Sequence, residues 1–409
     1  MANVGRMTNA PSASATHGKE HVVNTEPRAS FASRLRAFAA RETVLVVAAA
    51  AALASCALVP PDAGYAEYVD WRTLALLFCL MAVVAGFRKL GVLDAAGAWL
   101  VARARTPRAI AAALVGLAFF ASMLVTNDVA LITFVPLALV VLRRANLQAR
   151  LCLVATLMTV AANLGSMLTP IGNPQNLYLF TTSGLSVPEF LLLMAPYTLA
   201  SAALLAVTIV LAFRGKSPRV GNAESQQPAP ARPRACARFA LYLALFAACL
   251  AAVAGILDAR VLLALVLVSV AISDASLLRR IDWGLLATFV ALFVFVGNVG
   301  RLPVLHEALA AAVDGNALLA AVGASQIISN VPAAVLLSGF TDQWQALIVG
   351  TNLGGLGTLI ASMASLITFK AISVGRPTIR ASYLRTFTLV NVAFLAVLLA
   401  LSAVMGHVG

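Results

Sequence analysis

The sequence predicts an all-α polytopic membrane protein made of two inverted-topology repeats, each holding a re-entrant helical hairpin and an unwound transmembrane helix. Three observations predict it. Of 409 residues, 61% are hydrophobic and only 11% charged, whereas a soluble domain carries about 25% charge. Apolar runs that approach or exceed the roughly 20 residues of a bilayer crossing follow one another with short breaks. The same polar landmarks then recur in the same order in both halves. The first observation excludes a soluble enzyme. The 29 Lys and Arg against 16 Asp and Glu lie scattered over loops without interleaved aromatics, which argues against a nucleic-acid partner. The five cysteines have no CxxC spacing and imply neither a disulfide framework nor a metal site.

Residues 1–36 mix Ser, Thr, Asn and Pro with scattered charge and no apolar period, the composition of a disordered tail. No secretory signal is expected there, and the first apolar run, near Thr43, should remain as a span. The first transmembrane repeat is expected over 37–213 and the second over 237–409. Between them, 214–236 is rich in Pro, Arg, Gln and Ser and reads as a solvated cytoplasmic linker. The run at 109–142 is too long for one crossing and too short for two with a turn. A hairpin returning to its own face fits it. The run at 317–340 reads the same way, with a Pro-kinked ordinary span as the alternative. On that arrangement 26 of the 29 Lys and Arg fall on the cytoplasmic face, and only Arg72, Arg260 and Arg301 fall outside, a strong positive-inside bias. The expected placement is therefore the inner (plasma) membrane, with the N-terminus cytoplasmic and the C-terminus outside.

The landmarks pair as follows. Asp70-Trp71 opens one span and Asp282-Trp283 another. Lys89-Leu90-x-Val92-Leu93 follows the first, and Arg301-Leu302-x-Val304-Leu305 follows the second at the same offset. Ala121-Ser122 precedes Thr126-Asn127 as Ala324-Ser325 precedes Ser329-Asn330. Asn163-Leu164-Gly165-x3-Thr169 matches Asn352-Leu353-Gly354-x3-Thr358. The charge-derived topology runs the two Asp-Trp spans in opposite directions, which makes the repeats inverted and brings their broken helices together near the midplane, where transporters bind substrate.

Polar groups at membrane depth are costly and tend to face a cavity or a partner. Here they gather at four breaks: Ser122 to Asp128, Asn163 to Asn176, Ser329 to Pro332, and Gly350 to Ser365. The candidate site residues are Thr126, Asn127, Asp128, Asn163, Thr169, Gly172, Asn173 and Asn176 in the first half and Ser329, Asn330, Thr351, Asn352, Gly354 and Thr358 in the second. Half-helix N-termini favour an anion, and carbonyls with Asn, Ser and Thr oxygens suit a hard cation such as Na⁺. No Lys or Arg is expected at mid-span, so an anion would need helix ends, hydroxyls, amides and a co-bound cation. Asp128 alone places a carboxylate deep in a span, as a cation ligand, a proton exchanger or a helix N-cap. Gly165, Gly354 and Gly357 have close helix packing as a competing role. The Asp-Trp pairs read as interfacial anchors and His306 as a solvated residue on a surface helix.

Thr126-Asn127-Asp128-Val-Ala-Leu-Ile-Thr-Phe-Val-Pro136 resembles the Asn-Asp hairpin of arsenite-permease-like proteins. Asn163-Leu-Gly-Ser-Met-Leu-Thr-Pro-Ile-Gly-Asn-Pro-Gln-Asn176 is similar to the unwound segment of citrate-transporter-like permeases. Over residues 40–408 the chain thus resembles the ion transporter superfamily that also contains NhaD-type antiporters and divalent anion:sodium symporters. The resemblance implies a scaffold and a transport domain per protomer, a homodimer and elevator-type movement. It also implies a first cation site at Thr126, Asn127 and residues 172–176, and a second at Ser329, Asn330 and residues 350–358. Dicarboxylate symporters carry Ser-Asn-Thr at both hairpin tips, whereas the tips here read Thr-Asn-Asp and Ser-Asn-Val. The expected function is non-enzymatic: a secondary permease for a small anion, coupled to Na⁺ or H⁺ and needing no cofactor. A Na⁺/H⁺ antiporter and an arsenite or inorganic oxyanion efflux permease are the alternatives. An intramembrane aspartyl protease would need a second facing aspartate, and Asp274 lies at a cytoplasmic end.

Overall fold

A chain this apolar has little choice of local structure, because in hydrocarbon each backbone N–H and C=O must be satisfied within its own segment. The computed structural model describes residues 42–214, 233–373 and 377–406, and these contain helix and no strand. The tail at 1–36 and most of the linker at 214–236 lie outside the described residues. Val44–Gly409 form one compact unit.

The first half contains α1 (Thr43–Leu58), α2 (Trp71–Lys89), α3 (Val92–Ala102), α4 (Pro107–Val125), α5 (Asn127–Arg144), α6 (Leu151–Ser166), α7 (Pro174–Ser183) and α8 (Val187–Ala212). The second contains α9 (Pro233–Val253), α10 (Ala259–Asp274), α11 (Trp283–Gly300), α12 (Pro303–Asp314), α13 (Ala317–Ile328), α14 (Asn330–Leu337), α15 (Trp344–Leu353), α16 (Met363–Ser373) and α17 (Pro377–Val404). Among the described residues eight helices, α2, α4, α6, α8, α9, α10, α11 and α17, are long and apolar enough to cross a membrane. The protein is an all-α polytopic membrane protein.

The landmarks paired in the sequence adopt paired local geometries. Asp70 and Asp282 each cap a helix, accepting from Thr73 N at 3.0 Å and from Leu285 N at 2.9 Å, which satisfies one of the orphan donors of a helix start. The adjoining indoles donate to a carbonyl five residues back, Trp71 to Ala66 and Trp283 to Leu278. At the hairpin tips Thr126 has φ 75°, ψ 150° and Ser329 φ 74°, ψ 154°. Non-glycine residues in this region are strained by about 1–3 kcal/mol and persist only where the surroundings over-determine them. The two polar runs that carried Pro, Gly and Asn unwind as expected, at 167–173 between α6 and α7 and at 354–362 between α15 and α16.

Packing crosses the halves. Within each half the first hairpin arm lies along the helix before the break, α4 on α6 and α13 on α15. Between halves, α5 packs on α16 and α14 on α7. α6 sits at the centre, buried from Val154 to Ser166. Close approach there requires glycine: a Cβ on Gly165 would lie 2.1 Å from the Phe119 carbonyl oxygen and 2.7 Å from Ser122 Oγ, and one on Gly354 would lie 2.6 Å from Ser325 Oγ.

The expectation for His306 is corrected. It is only half exposed, its ring 5.3 Å from that of Phe340, because the face of α12 that carries it turns toward the segment after α14. At the ends of α2 and α11, Lys89 pairs with Asp274 and Arg301 pairs with Asp62 at 2.5 Å. The guanidinium of Arg301 holds the Asp62 carboxyl below the usual carboxylate range.

Gly165→Ala should destabilise the folded protein by about 1–3 kcal/mol through overpacking, read as earlier thermal unfolding in detergent. Gly116→Ala, where a Cβ would meet nothing within 4 Å, should be close to neutral. Equal melting of the two variants would disprove the close α4–α6 contact.

Candidate functional site

The two unwound segments meet at the centre of the molecule, and amides join them. Asn163, on the last turn of α6, accepts at Oδ1 from Asn127 Nδ2 and from Ser362 Oγ, both at 2.9 Å, and donates through Nδ2 to the Gly355 carbonyl at 3.2 Å. One side chain thus ties the first hairpin tip to the second unwound segment. Asn127 Oδ1 accepts in turn from Asp128 N at 2.9 Å. In the first unwound segment Asn173 Nδ2 donates to Ser166 Oγ at 2.9 Å and Asn176 Nδ2 to the Ser166 carbonyl at 3.2 Å. Asn176 Oδ1 accepts from Asn352 Nδ2 at 2.7 Å, a further bond between the halves. A Cβ on Gly172 would sit 2.1 Å from the Ser166 carbonyl oxygen, so glycine lets the chain fold back there.

The remaining candidates divide. Thr169 Oγ1 donates to the Met123 carbonyl at 2.5 Å, joining the first unwound segment to α4. Ser329 and Asn330 face the end of the second unwound segment, with Asn330 N donating to the Ala361 carbonyl at 3.0 Å. Thr351 stays with its own helix, its hydroxyl bonding back to the Leu347 carbonyl at 2.8 Å, a local role common for threonine in membrane helices. Thr358 is exposed and bonds to Gln326. Gly354 serves packing through its missing side chain and hydrogen bonding through its carbonyl.

Asp128 occupies the first turn of α5, and no side chain caps that helix at Thr126. Its Oδ1 is buried without a hydrogen-bond partner, as are Asn352 Oδ1 and both amide atoms of Gln175. Each such group carries a desolvation cost of about 1–3 kcal/mol that a ligand can remove. Gln175 lies in the polar run after Asn163, but the sequence does not reveal that its amide is fully buried.

Charged residues from span ends also lie near the tip. A cavity of about 200 Å³ beside the first hairpin is lined by Thr126, Asp128 and Asn173 together with Arg88, Arg280 and Asp282. Two arginines from the ends of spans, neither at mid-span, therefore line the same cavity as the tip, and Asp282 lines it as well. A larger cavity, of about 830 Å³, lies at Trp71, Arg72, Asp258 and Arg260 and includes none of the candidate residues.

Residues 35–343 match the family model described as citrate transporter. The chain belongs to the citrate transporter family. An uncharacterized transporter of Methanocaldococcus jannaschii is 33% identical over 315 residues, covering 75% of this chain and 84% of the relative. Inner membrane protein YbiR of Escherichia coli is 34% identical over 312 residues, covering 74% and 80%. The silicon efflux transporter LSI3 of rice is 34% identical over 143 residues, 35% of this chain and 29% of the relative. The family match spans both hairpin tips, Thr126 and Ser329, and the first unwound segment; it stops before the second.

Asn163→Ala removes three hydrogen bonds from a buried junction and leaves their partners unpaired. It should cost several kcal/mol at about 1–3 kcal/mol per orphaned group, seen as a lower melting temperature. Thr351→Val, which breaks only a bond within α15, should stay within about 1 kcal/mol of wild type. The reverse ranking would contradict the assignment of Asn163 as the junction.

Proposed function

We propose that this member of the citrate transporter family is a secondary permease that moves a small anion across the inner membrane, coupled to a cation. The observation that carries the reading is the set of buried, unpartnered oxygens and nitrogens of Asp128, Gln175 and Asn352 beside two unwound helices. Polar atoms so placed are stabilised by a polar ligand, and helix breaks supply both N–H and C=O groups to bind one. Arg88 and Arg280 on the adjoining cavity favour an anion approaching from that side. Thr126, Asn127, Asp128, Asn163, Thr169 and residues 172–176 would form the first-half site. Ser329, Asn330, Asn352, Gly354 and Thr358 would line the second, with Thr351 supporting it from within α15.

In this reading the halves are inverted repeats. Residues 37–213 and 237–409 form the two transmembrane repeats, and α4–α5 and α13–α14 are re-entrant hairpins. The hairpins and broken helices move together as the elevator of one protomer in a homodimer. The N-terminus is cytoplasmic and the C-terminus outside. A second reading is favoured by Asp128 and Asp282 lining one cavity: Asp128 would exchange Na⁺ for H⁺ with no anionic solute. The rice relative's name adds silicon efflux as a direction to test.

The deciding experiment reconstitutes the full chain in liposomes and follows labelled citrate, phosphate and arsenite under imposed Na⁺ and pH gradients, with a pH dye in parallel. Gradient-driven accumulation of an anion supports the permease. Na⁺-dependent proton movement with none of the anions transported would replace it with the antiporter. Asn127→Ala should abolish accumulation while the protein still folds. If Asp128 carries the coupled proton, Asp128→Asn should lose uphill accumulation but keep downhill exchange. If it ligates Na⁺, half-maximal transport should need about tenfold more Na⁺, equivalent to roughly 1.4 kcal/mol.

Topology supplies an independent check. Single cysteines at Arg105 and Arg144 should both label from the cytoplasm, because the first hairpin enters and leaves on one face. Labelling from opposite faces would remove the re-entrant hairpin and the inverted repeat with it.

A further inference from the structure

Gln326 in the second hairpin holds the position that Met123 holds in the first, three residues before the tip in both. The backbone role is shared. Thr169 Oγ1 donates to the Met123 carbonyl at 2.5 Å, and the matching Thr358 Oγ1 donates to the Gln326 carbonyl at 3.1 Å. The side chains then diverge.

Gln326 Nε2 donates to the carbonyls of Gly354 and Leu356, both at 2.9 Å, with the Val322 carbonyl of its own helix at 3.2 Å. Its Oε1 accepts from Thr358 N at 2.8 Å. The unwound segment is shaped around this amide. Gly357 has φ +109°, and a Cβ there would lie 2.2 Å from Gln326 Oε1. Backbone carbonyls converging in this way are the ligand set of a hard cation, and here a tethered NH₂ with two donors and partial positive charge meets them instead. The matching carbonyls of the first half belong to Gly165 and Met167, and the thioether of Met123 has no N–H to offer them.

We propose that Gln326 is a built-in substitute for a cation, which closes the second unwound segment permanently and confines coupling-cation binding to the first half, at Thr126, Asn127, Asp128 and residues 172–176. The proposal rests on the cation-coupled reading above and sharpens it, since the chain then takes one coupling cation per protomer rather than two. The second half keeps Ser329, Asn330 and Asn352 for the solute.

The test uses Na⁺ itself. Binding of radiolabelled Na⁺ to the purified full-length chain, at constant ionic strength, should reach one per wild-type chain with a Hill slope of one. Asn127→Ala should lose it. Melting is then compared in sodium and choline chloride. In Gln326→Glu a carboxylate without N–H faces two carbonyls. That variant should melt below wild type in choline and recover by several degrees in sodium, as Na⁺ fills the gap. Gln326→Met, which copies the first half, should behave likewise and carries the test if the Glu variant does not fold. Two Na⁺ per wild-type chain, or wild-type melting of both Gln326 variants with no Na⁺ dependence, would overturn the proposal. A wild-type chain that binds no Na⁺ would sink Na⁺ coupling alone. The Gln326 variants then decide by themselves: Na⁺-dependent melting upholds the substitution and its absence overturns it.

Discussion

The rest of this structure depends on how a broken helix in an apolar medium satisfies its backbone. Unwinding residues 167–173 and 354–362 frees N–H and C=O groups that water would otherwise hydrate, and in a bilayer each unsatisfied group costs several kcal/mol. The molecule answers with amide side chains. Asn163 bonds Asn127, Ser362 and Gly355, Asn176 bonds Ser166 and Asn352, and Gln326 bonds Gly354, Leu356 and Thr358. An amide suits this work because it donates and accepts at once and carries no net charge to desolvate. The glycines at 165, 172 and 354 follow from the same constraint, since carbonyls and hydroxyls must approach within distances that a Cβ would block.

These bonds leave a remainder, and part of it, at Asp128, Gln175 and Asn352, falls beside the unwound segments. Asn163 Oδ1 accepts two hydrogen bonds, while its counterpart Asn352 Oδ1 accepts none. The halves therefore share a plan without sharing a bonding state. Met123 against Gln326 shows the same inequality one turn earlier in the hairpins. Two matching breaks that satisfy themselves differently can hold different ligands.

Much of this was legible in the sequence because it follows from composition and order. The apolar runs gave the helices, and Pro, Gly and Asn at 163–176 and 350–358 marked where helix could not continue. The paired landmarks located both hairpin tips to the residue, Thr126 and Ser329. The side-chain environments were not legible. Whether Thr351 faces a ligand or bonds its own helix depends on rotation about α15, and the isolation of Gln175 depends on what α14 and α15 cover. Arg88 and Arg280 sit at span ends in the sequence, and only the convergence of α2 with the start of α11 brings them to the cavity beside Asp128. The mismatch between Met123 and Gln326 was available from the aligned halves, but its meaning needed the position of the Leu356 carbonyl.

The exchange of contacts between halves, α5 on α16 and α14 on α7, has a consequence for how the chain is made. The partners of Asn163 in the second half lie 192 and 199 residues downstream. At about 5–20 residues per second of synthesis, Asn163 waits roughly 10–40 s in the membrane before Gly355 and Ser362 exist. During that interval its amide has Asn127 as a partner but neither of its partners in the second half. Biogenesis of this protein thus includes a half-built stage in which Asn163 lacks its second-half partners, and a chain truncated before Gly355 would remain in that stage.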